Sequence, residues 1–182
     1  MLIEETVTYL EMTSAEQLRP GRLPPAPVEM VKLDRDQAAA SVLRRTYAQI
    51  ATPLNWQSRR TWADARWAQH LARPQMHAWI ARVVDEIAGM VELEAQPGGD
   101  VEIVVFGLVP EFVRRGFGAH LLTVGTRLAW ELEPLDGDRA AHLTLLREGD
   151  RHDFKQAAQM RRSRGASRRG RTAAEAAAWQ AP

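Results

Sequence analysis

The chain has 182 residues, 45% hydrophobic and 26% charged, which is the length of one domain and the composition of an ordinary globular protein. Cysteine is absent, which excludes disulfides, thiolate zinc sites and a cysteine nucleophile. Net charge is +1, but residues 161–182 hold six arginines against Glu175 alone, about +5, so the rest of the chain is acidic.

No apolar run reaches membrane-spanning length, and the start MLIEETVTYLEM has neither a basic region nor a small-residue cleavage site; a cytoplasmic protein with no membrane partner is expected. Basic residues are almost all arginine, the lysines being Lys32 and Lys155, and alanine is abundant, the bias of a G+C-rich bacterial genome.

Thr6 to Met12 alternates as a strand does, and a link rich in proline follows (Pro20, Pro24, Pro25, Pro27). A short strand is predicted at Val28–Leu33. Over Arg35–Ile50 the spacing Ala39, Val42, Leu43, Tyr47, Ile50 fits one face of a helix. Pro53–Trp56 reads as loop, and Thr61 as the cap of a helix through Leu71. Three strands are predicted next, His77–Val84, Met90–Ala95 and Val101–Val109. They are joined by the Asp85–Gly89 turn and by Gln96-Pro97-Gly98-Gly99-Asp100. Ile103-Val104-Val105-Phe106 is an unbroken apolar run, as expected of a central strand. A helix from Gly116 to about Glu133, a weaker strand at His142–Leu146 and a weak helix at Asp153–Arg162 complete the pattern. This is an α+β plan with a mixed, mostly antiparallel sheet flanked by helices. Residues 1–27 read as an N-terminal strand and link, 28–160 as the main domain, and 161–182 as a disordered tail. Six like charges oppose compaction there, and residues 163–171 offer no large apolar side chain to bury.

The segment VEIVVFGLVPEFVRRGFGAHLL, residues 101–122, carries the chemistry. An apolar strand stops at Val109-Pro110, and a turn rich in arginine and glycine leads into a helix. Backbone N–H groups at a helix start are unpaired and carry partial positive charge, which suits phosphate or diphosphate. Gly116 and Gly118 keep side chains out of the ligand's way, and Arg114 and Arg115 add charge that pairs with phosphate oxygens.

This stretch resembles the acetyl-CoA motif of GCN5-related N-acetyltransferases (GNAT), Q/R-x-x-G-x-G/A, here Val113-Arg114-Arg115-Gly116-Phe117-Gly118. Val113 stands where the family prefers Gln or Arg, a departure that leaves the backbone cradle intact. The resemblance covers residues 28–133. It implies an N-acetyltransferase that uses acetyl-CoA and a small-molecule or peptide amine, with no metal. The cofactor site it implies comprises the backbone of Phe106, Leu108 and Val109 and the turn Arg114, Arg115, Gly116, Phe117, Gly118 and Ala119. Gly107 reads either as a bulge that opens the ladder there or as a glycine relieving crowding. Glu102 falls where histone acetyltransferases of this superfamily place their catalytic glutamate. A base is needed because an amine is protonated near neutral pH, and burial beside an apolar cleft raises a carboxylate's pKa. Glu92 and Glu94 share one face of the adjoining strand and are the alternatives. The acyl oxygen is expected to meet the Leu108 or Val109 amide.

The family often supplies a tyrosine as general acid after the next strand. Here Arg161 stands in that place, and the only tyrosines are Tyr9 and Tyr47. Without the family's final hairpin, the sheet edge near His142–Leu146 is expected to be open or paired with another copy of the chain, a homodimer. A non-catalytic acyl-CoA-binding protein is the alternative function. Nucleic-acid binding through the arginine-rich tail is a weaker one, since no aromatics alternate with its arginines. Trp56, Trp62, Trp67 and Trp79 read as core or as the wall of an acceptor pocket, and the five histidines show no metal-ligand spacing.

Overall fold

The computed structural model describes residues 8–132, 141–145 and 161–162. In chain order the elements are β1 (Thr8–Met12), β2 (Glu29–Lys32), α1 (Gln37–Ala51), α2 (Asp64–Ala72), β3 (Met76–Val83), β4 (Glu86–Ala95), β5 (Val101–Leu108), α3 (Gly118–Glu131), β6 (Ala141–Leu145) and β7 (Arg161–Arg162). Among the described residues the strands form one sheet in the order β2-β3-β4-β5-β6-β1-β7. Neighbours are antiparallel except β5 and β6, which run parallel. The α+β plan with a mixed, mostly antiparallel sheet is the one the sequence predicts.

Apolar periodicity sets the layers. Leu43, Tyr47 and Ile50 of α1 and Trp67 and Leu71 of α2 cover one face of the sheet, over Ala78, Ile80, Met90 and Val105. Leu121, Leu122 and Ala129 of α3 cover the other, over Trp79, Val91, Leu93, Val101 and Ile103. Asp36 caps α1 by accepting from the Ala39 N–H at 2.7 Å.

Thr61 does not cap α2. Residues 57–62 are wound into turns, with the Trp62 N–H donated to Arg59 O, and α2 starts at Asp64 with no side-chain cap. The turn read over Asp85–Gly89 is shorter, and β4 starts at Glu86. Gly89 belongs inside the strand because of a close approach, since a Cβ there would lie 2.4 Å from Gly107 O.

The larger correction concerns the sheet edge. The edge at His142–Leu146 is neither open nor left to another chain: β1 fills it, from Thr8 opposite Leu145 to Met12 opposite Ala141. Its apolar residues Leu10 and Met12 are buried against the α3 side. The weak helix at Asp153–Arg162 and the tail 161–182 lie outside the described residues, apart from Arg161 and Arg162, which pair as strand with Glu11 and Leu10 of β1.

Candidate functional site

The central strand opens on one side. Its parallel pairing with β6 runs through Val101–Ala141, Glu102–His142 and Ile103–Leu143 and ends there, whereas its pairing with β4 continues to Leu108. A bulge coincides with the end of the β6 pairing. Glu92 faces Val105 and Leu93 faces Ile103, so Val104 is the extra residue. A bulge bends its strand and ends regular pairing, and among the described residues no strand pairs with 104–108 on the side away from β4. The bulge is therefore at Val104, not Gly107. Gly107 has the other reading, since a Cβ there would lie 2.5 Å from Cγ2 of Ile50 on α1.

Register also decides which backbone groups face away from β4. The Val109 N–H is donated to Ala88 O at 3.0 Å, and Val109 O accepts from the Phe112 N–H. In an antiparallel ladder hydrogen-bonded pairs alternate with non-bonded ones. Gly107 and Val105 therefore turn to β4 like Val109, and Phe106 and Leu108 turn to the opening. Of the two amides expected to meet an acyl oxygen, only that of Leu108 points there.

Beyond Val109 the chain makes a single 3-10 turn at Pro110–Phe112 and then the glycine turn. Phe112 and Phe117, both buried, pack edge to face at 5.4 Å and anchor the turn from below. Arg114 (φ 60°) and Gly116 (φ 87°) are left-handed, an alternation that points N–H groups into a concavity suited to anions. Such a conformation costs a non-glycine residue about 1–3 kcal/mol, and Arg114 adopts it in the turn itself. The first turn of α3 has no side-chain cap, which leaves its N–H groups facing outward. A Cβ on Gly116 would meet only Pro25 Cδ at 3.6 Å, and one on Gly118 only Leu108 Cδ1 at 3.7 Å. Among the described residues nothing else comes within 4 Å of either position. Arg114 is exposed; the exposed Arg115 lies over the Phe112 ring and donates to Glu111 O at 3.0 Å. Two arginines, outward N–H groups and bare glycines fit a diphosphate.

On the face covered by α1 and α2, Glu92 and Glu94 of β4 point the same way, two residues apart. Glu102 is directly opposite Glu94 and shares that face. The three carboxylates have different surroundings. Glu92 is fully buried; Arg59 Nη1 lies 2.9 and 2.8 Å from its two oxygens, and His70 Nε2 lies 2.8 Å from Oε2. Burial alone would raise its pKa, but the Arg59 charge and the His70 hydrogen bond outweigh it and hold the carboxyl at about 2. Glu94 accepts from Arg73 Nη1 at 3.0 Å. Among the described residues Glu102, half-buried, has one long contact, Gln96 Nε2 at 3.5 Å. Arg73 Nη2 lies 3.1 Å from His70 Nδ1. Arginine can only donate, so the hydrogen bonds assign His70 the neutral tautomer with its proton on Nε2, toward Glu92.

The sequence reading missed Arg59, His70 and Arg73. Its one usable signal was Glu92, a carboxylate on a strand that has to be covered. The Arg59 guanidinium sits 5.0–5.6 Å from the ring centres of Tyr47, Trp62 and Trp67, so these aromatics hold an internal cation. Trp56 packs on Tyr47, whereas Trp79 is on the α3 face. The Tyr47 hydroxyl is 3.1 Å from Ser58 Oγ. Among the described residues no three His, Asp or Glu gather as metal ligands, and no helix is long and apolar enough to cross a membrane.

The sequence model of the acetyltransferase (GNAT) family matches residues 42–142, from α1 into β6. No curated protein matches the chain. Similar solved structures include a GCN5-related N-acetyltransferase from Kribbella flavida (16% identity, TM-score 0.59, covering 86% of this chain and 54% of that one). Another is the GCN5-related N-acetyltransferase from Sphaerobacter thermophilus (13% identity, TM-score 0.62, 88% and 49%). A third is an aminoglycoside acetyltransferase from an uncultured soil metagenomic sample in complex with sisomicin (12% identity, TM-score 0.54, 71% and 84%). At these identities the likeness is one of fold, and the chain spans about half the length of the first two.

Proposed function

Because the chain belongs to the acetyltransferase (GNAT) family, we propose that it transfers the acetyl group of acetyl-CoA to an amine by direct attack on the thioester. The observation that carries this reading is the gap beside β5: pairing with β6 ends at Ile103–Leu143, and the strand runs on to a bare glycine turn. When bound, acetyl-CoA supplies an activated acetyl thioester. The N–H groups of residues 114–119 and the Arg114 and Arg115 guanidinium groups hold its diphosphate. Phe106 and Leu108 present backbone to the pantetheine arm, and the Leu108 N–H donates to the acyl oxygen.

Glu102 stands one residue before the rung at which the gap closes, on the face covered by α1 and α2. It takes the proton of the attacking amine through water. Glu92 is unsuited to that work, with both oxygens bound and its pKa held at about 2, and Glu94 is engaged by Arg73. The Glu102 carboxylate favours a cationic acceptor. We place the protein in the bacterial cytoplasm.

The test is thiol release from acetyl-CoA against a panel of peptide, polyamine and aminoglycoside amines, beside calorimetric titration with CoA. The aminoglycosides belong in the panel because one structural neighbour is solved with sisomicin. Release with at least one amine supports the enzyme. Binding without release supports the non-catalytic alternative, and failure to bind CoA overturns both.

A further inference from the structure

The proline-rich link does not leave the molecule; it runs along α3 to the glycine turn. Ala15, Leu18 and Pro20 face Arg127, Trp130 and Glu131, near the C-terminal end of α3, across an open groove. The Gly21 N–H is then donated to Thr123 Oγ1 at 2.8 Å. Gly21 is pressed so closely on the helix that a Cβ would lie 2.6 Å from the Ala119 carbonyl carbon and oxygen. Four residues on, Pro25 Cδ lies 3.6 Å from where a Cβ of Gly116 would stand. The span 21–25 is thus held at Gly21 on the first turns of α3 and passes beside the turn at 114–118 at Pro25. Pro20, Pro24, Pro25 and Pro27 lock φ along it, so little ordering is needed when a ligand arrives. Arg22 is the one charged residue between Gly21 and Pro25. It is exposed and has no hydrogen-bond or ion-pair partner among the described residues.

We infer that residues 20–27 form a fixed wall of the diphosphate site and that Arg22 binds the diphosphate together with the turn. The inference rests on the acetyl-CoA reading and adds to it a cation from a segment that precedes the part of the chain the family match covers. Gly21 is required because only a bare backbone lets the strap lie low enough on α3 for the next side chain to reach the helix start.

The experiment is calorimetric titration of the full chain with CoA and with 3′-dephospho-CoA. Arg22→Ala is expected to weaken both ligands alike, by roughly tenfold, the worth of one charge-assisted contact. Arg22→Lys is expected to lose less, because a charge remains, and Arg45→Ala, on exposed α1 surface, to lose nothing. Gly21→Val, whose side chain would collide with the Ala119 main chain, is expected to weaken both ligands with the far-UV circular dichroism unchanged. If Arg22→Ala binds CoA like the parent while Gly116→Val does not, the strap plays no part and the turn stands. A loss confined to CoA, sparing 3′-dephospho-CoA, overturns the diphosphate assignment. Tighter binding by Gly21→Val overturns the wall by showing that the strap obstructs the site. A parent that binds neither ligand overturns this inference together with the reading beneath it.

Discussion

Glu94 and Glu102 face each other across β4 and β5, yet Arg73 Nη1 holds Glu94 at 3.0 Å while the nearest side-chain donor to Glu102 among the described residues is Gln96 at 3.5 Å. Under the proposed function the better-held carboxylate is an anchor and the other serves the substrate. Glu102→Gln is expected to lower turnover by roughly 10²- to 10⁴-fold, the usual worth of general base catalysis, with acetyl-CoA affinity nearly unchanged. The deficit should narrow as pH rises and free amine becomes abundant. Thiol-release rates across pH, beside calorimetry, check this, and an unchanged rate near neutral pH would take the role from Glu102.

Gly116→Val is expected to abolish CoA binding. The new side chain would project into the open space over the turn and would be strained at φ 87°. Strain of this kind costs about 1–3 kcal/mol, so the midpoint of thermal unfolding should fall by some degrees while the circular dichroism spectrum is kept. Retained CoA affinity in a folded variant would place the cofactor elsewhere.

Gly107→Ala tests the packing reading of that glycine. Its methyl group would press on Ile50, and overpacking of this kind costs about 1–3 kcal/mol. Pairing it with Ile50→Ala should make the double variant less unstable than the two single losses summed, as denaturant titrations in a double-mutant cycle would show. Strict additivity would mean the two positions do not touch.

Glu92→Ala leaves Arg59, only 12% exposed, without its counter-charge, and loss of one partner from a buried pair costs about 3–5 kcal/mol. Replacing both, as Arg59→Met with Glu92→Leu, should cost less. Urea unfolding of the three proteins measures the difference.

The same carboxyl sets an acid limit. Its pKa in the folded protein, about 2, is below the ordinary 4.5, so Glu92 stabilises the fold fully above about pH 4.5. That contribution is lost as pH falls from there toward 2. Stability measured by denaturant at a series of acid pH values should decline over this window. Glu92→Gln, which has nothing to titrate at this position, should show a shallower decline.

The strands and helices that carry the site were legible because each is periodic or bounded by strong turn residues. Gln96-Pro97-Gly98-Gly99-Asp100 announces its hairpin, and Gly116 and Gly118 with their arginines announce the turn. What was not legible depends on partners distant in sequence. Glu92 cannot reveal Arg59, thirty-three residues earlier, because the loop that brings the guanidinium over has no periodicity. The bulge was sought at Gly107 because glycine tolerates irregular backbone, but it lies at Val104, where the count of residues against β4 changes and no residue type marks the place. Nor could the sequence show that Thr8–Met12 pairs with β6, since β-pairing leaves no local trace.

That last pairing has a kinetic side. Thr8 meets Leu145 across nearly the whole described chain, and contacts so far apart in sequence form late because the loop between them must close first. During synthesis β1 leaves the ribosome before every other strand of this sheet, and its main partner follows some 130 residues later. At about 5–20 residues per second that interval is roughly 7–27 s, during which the apolar face of Leu10 and Met12 has no sheet to join. The strand that closes the edge of the finished molecule is, for that interval, the segment most open to pairing with the wrong chain.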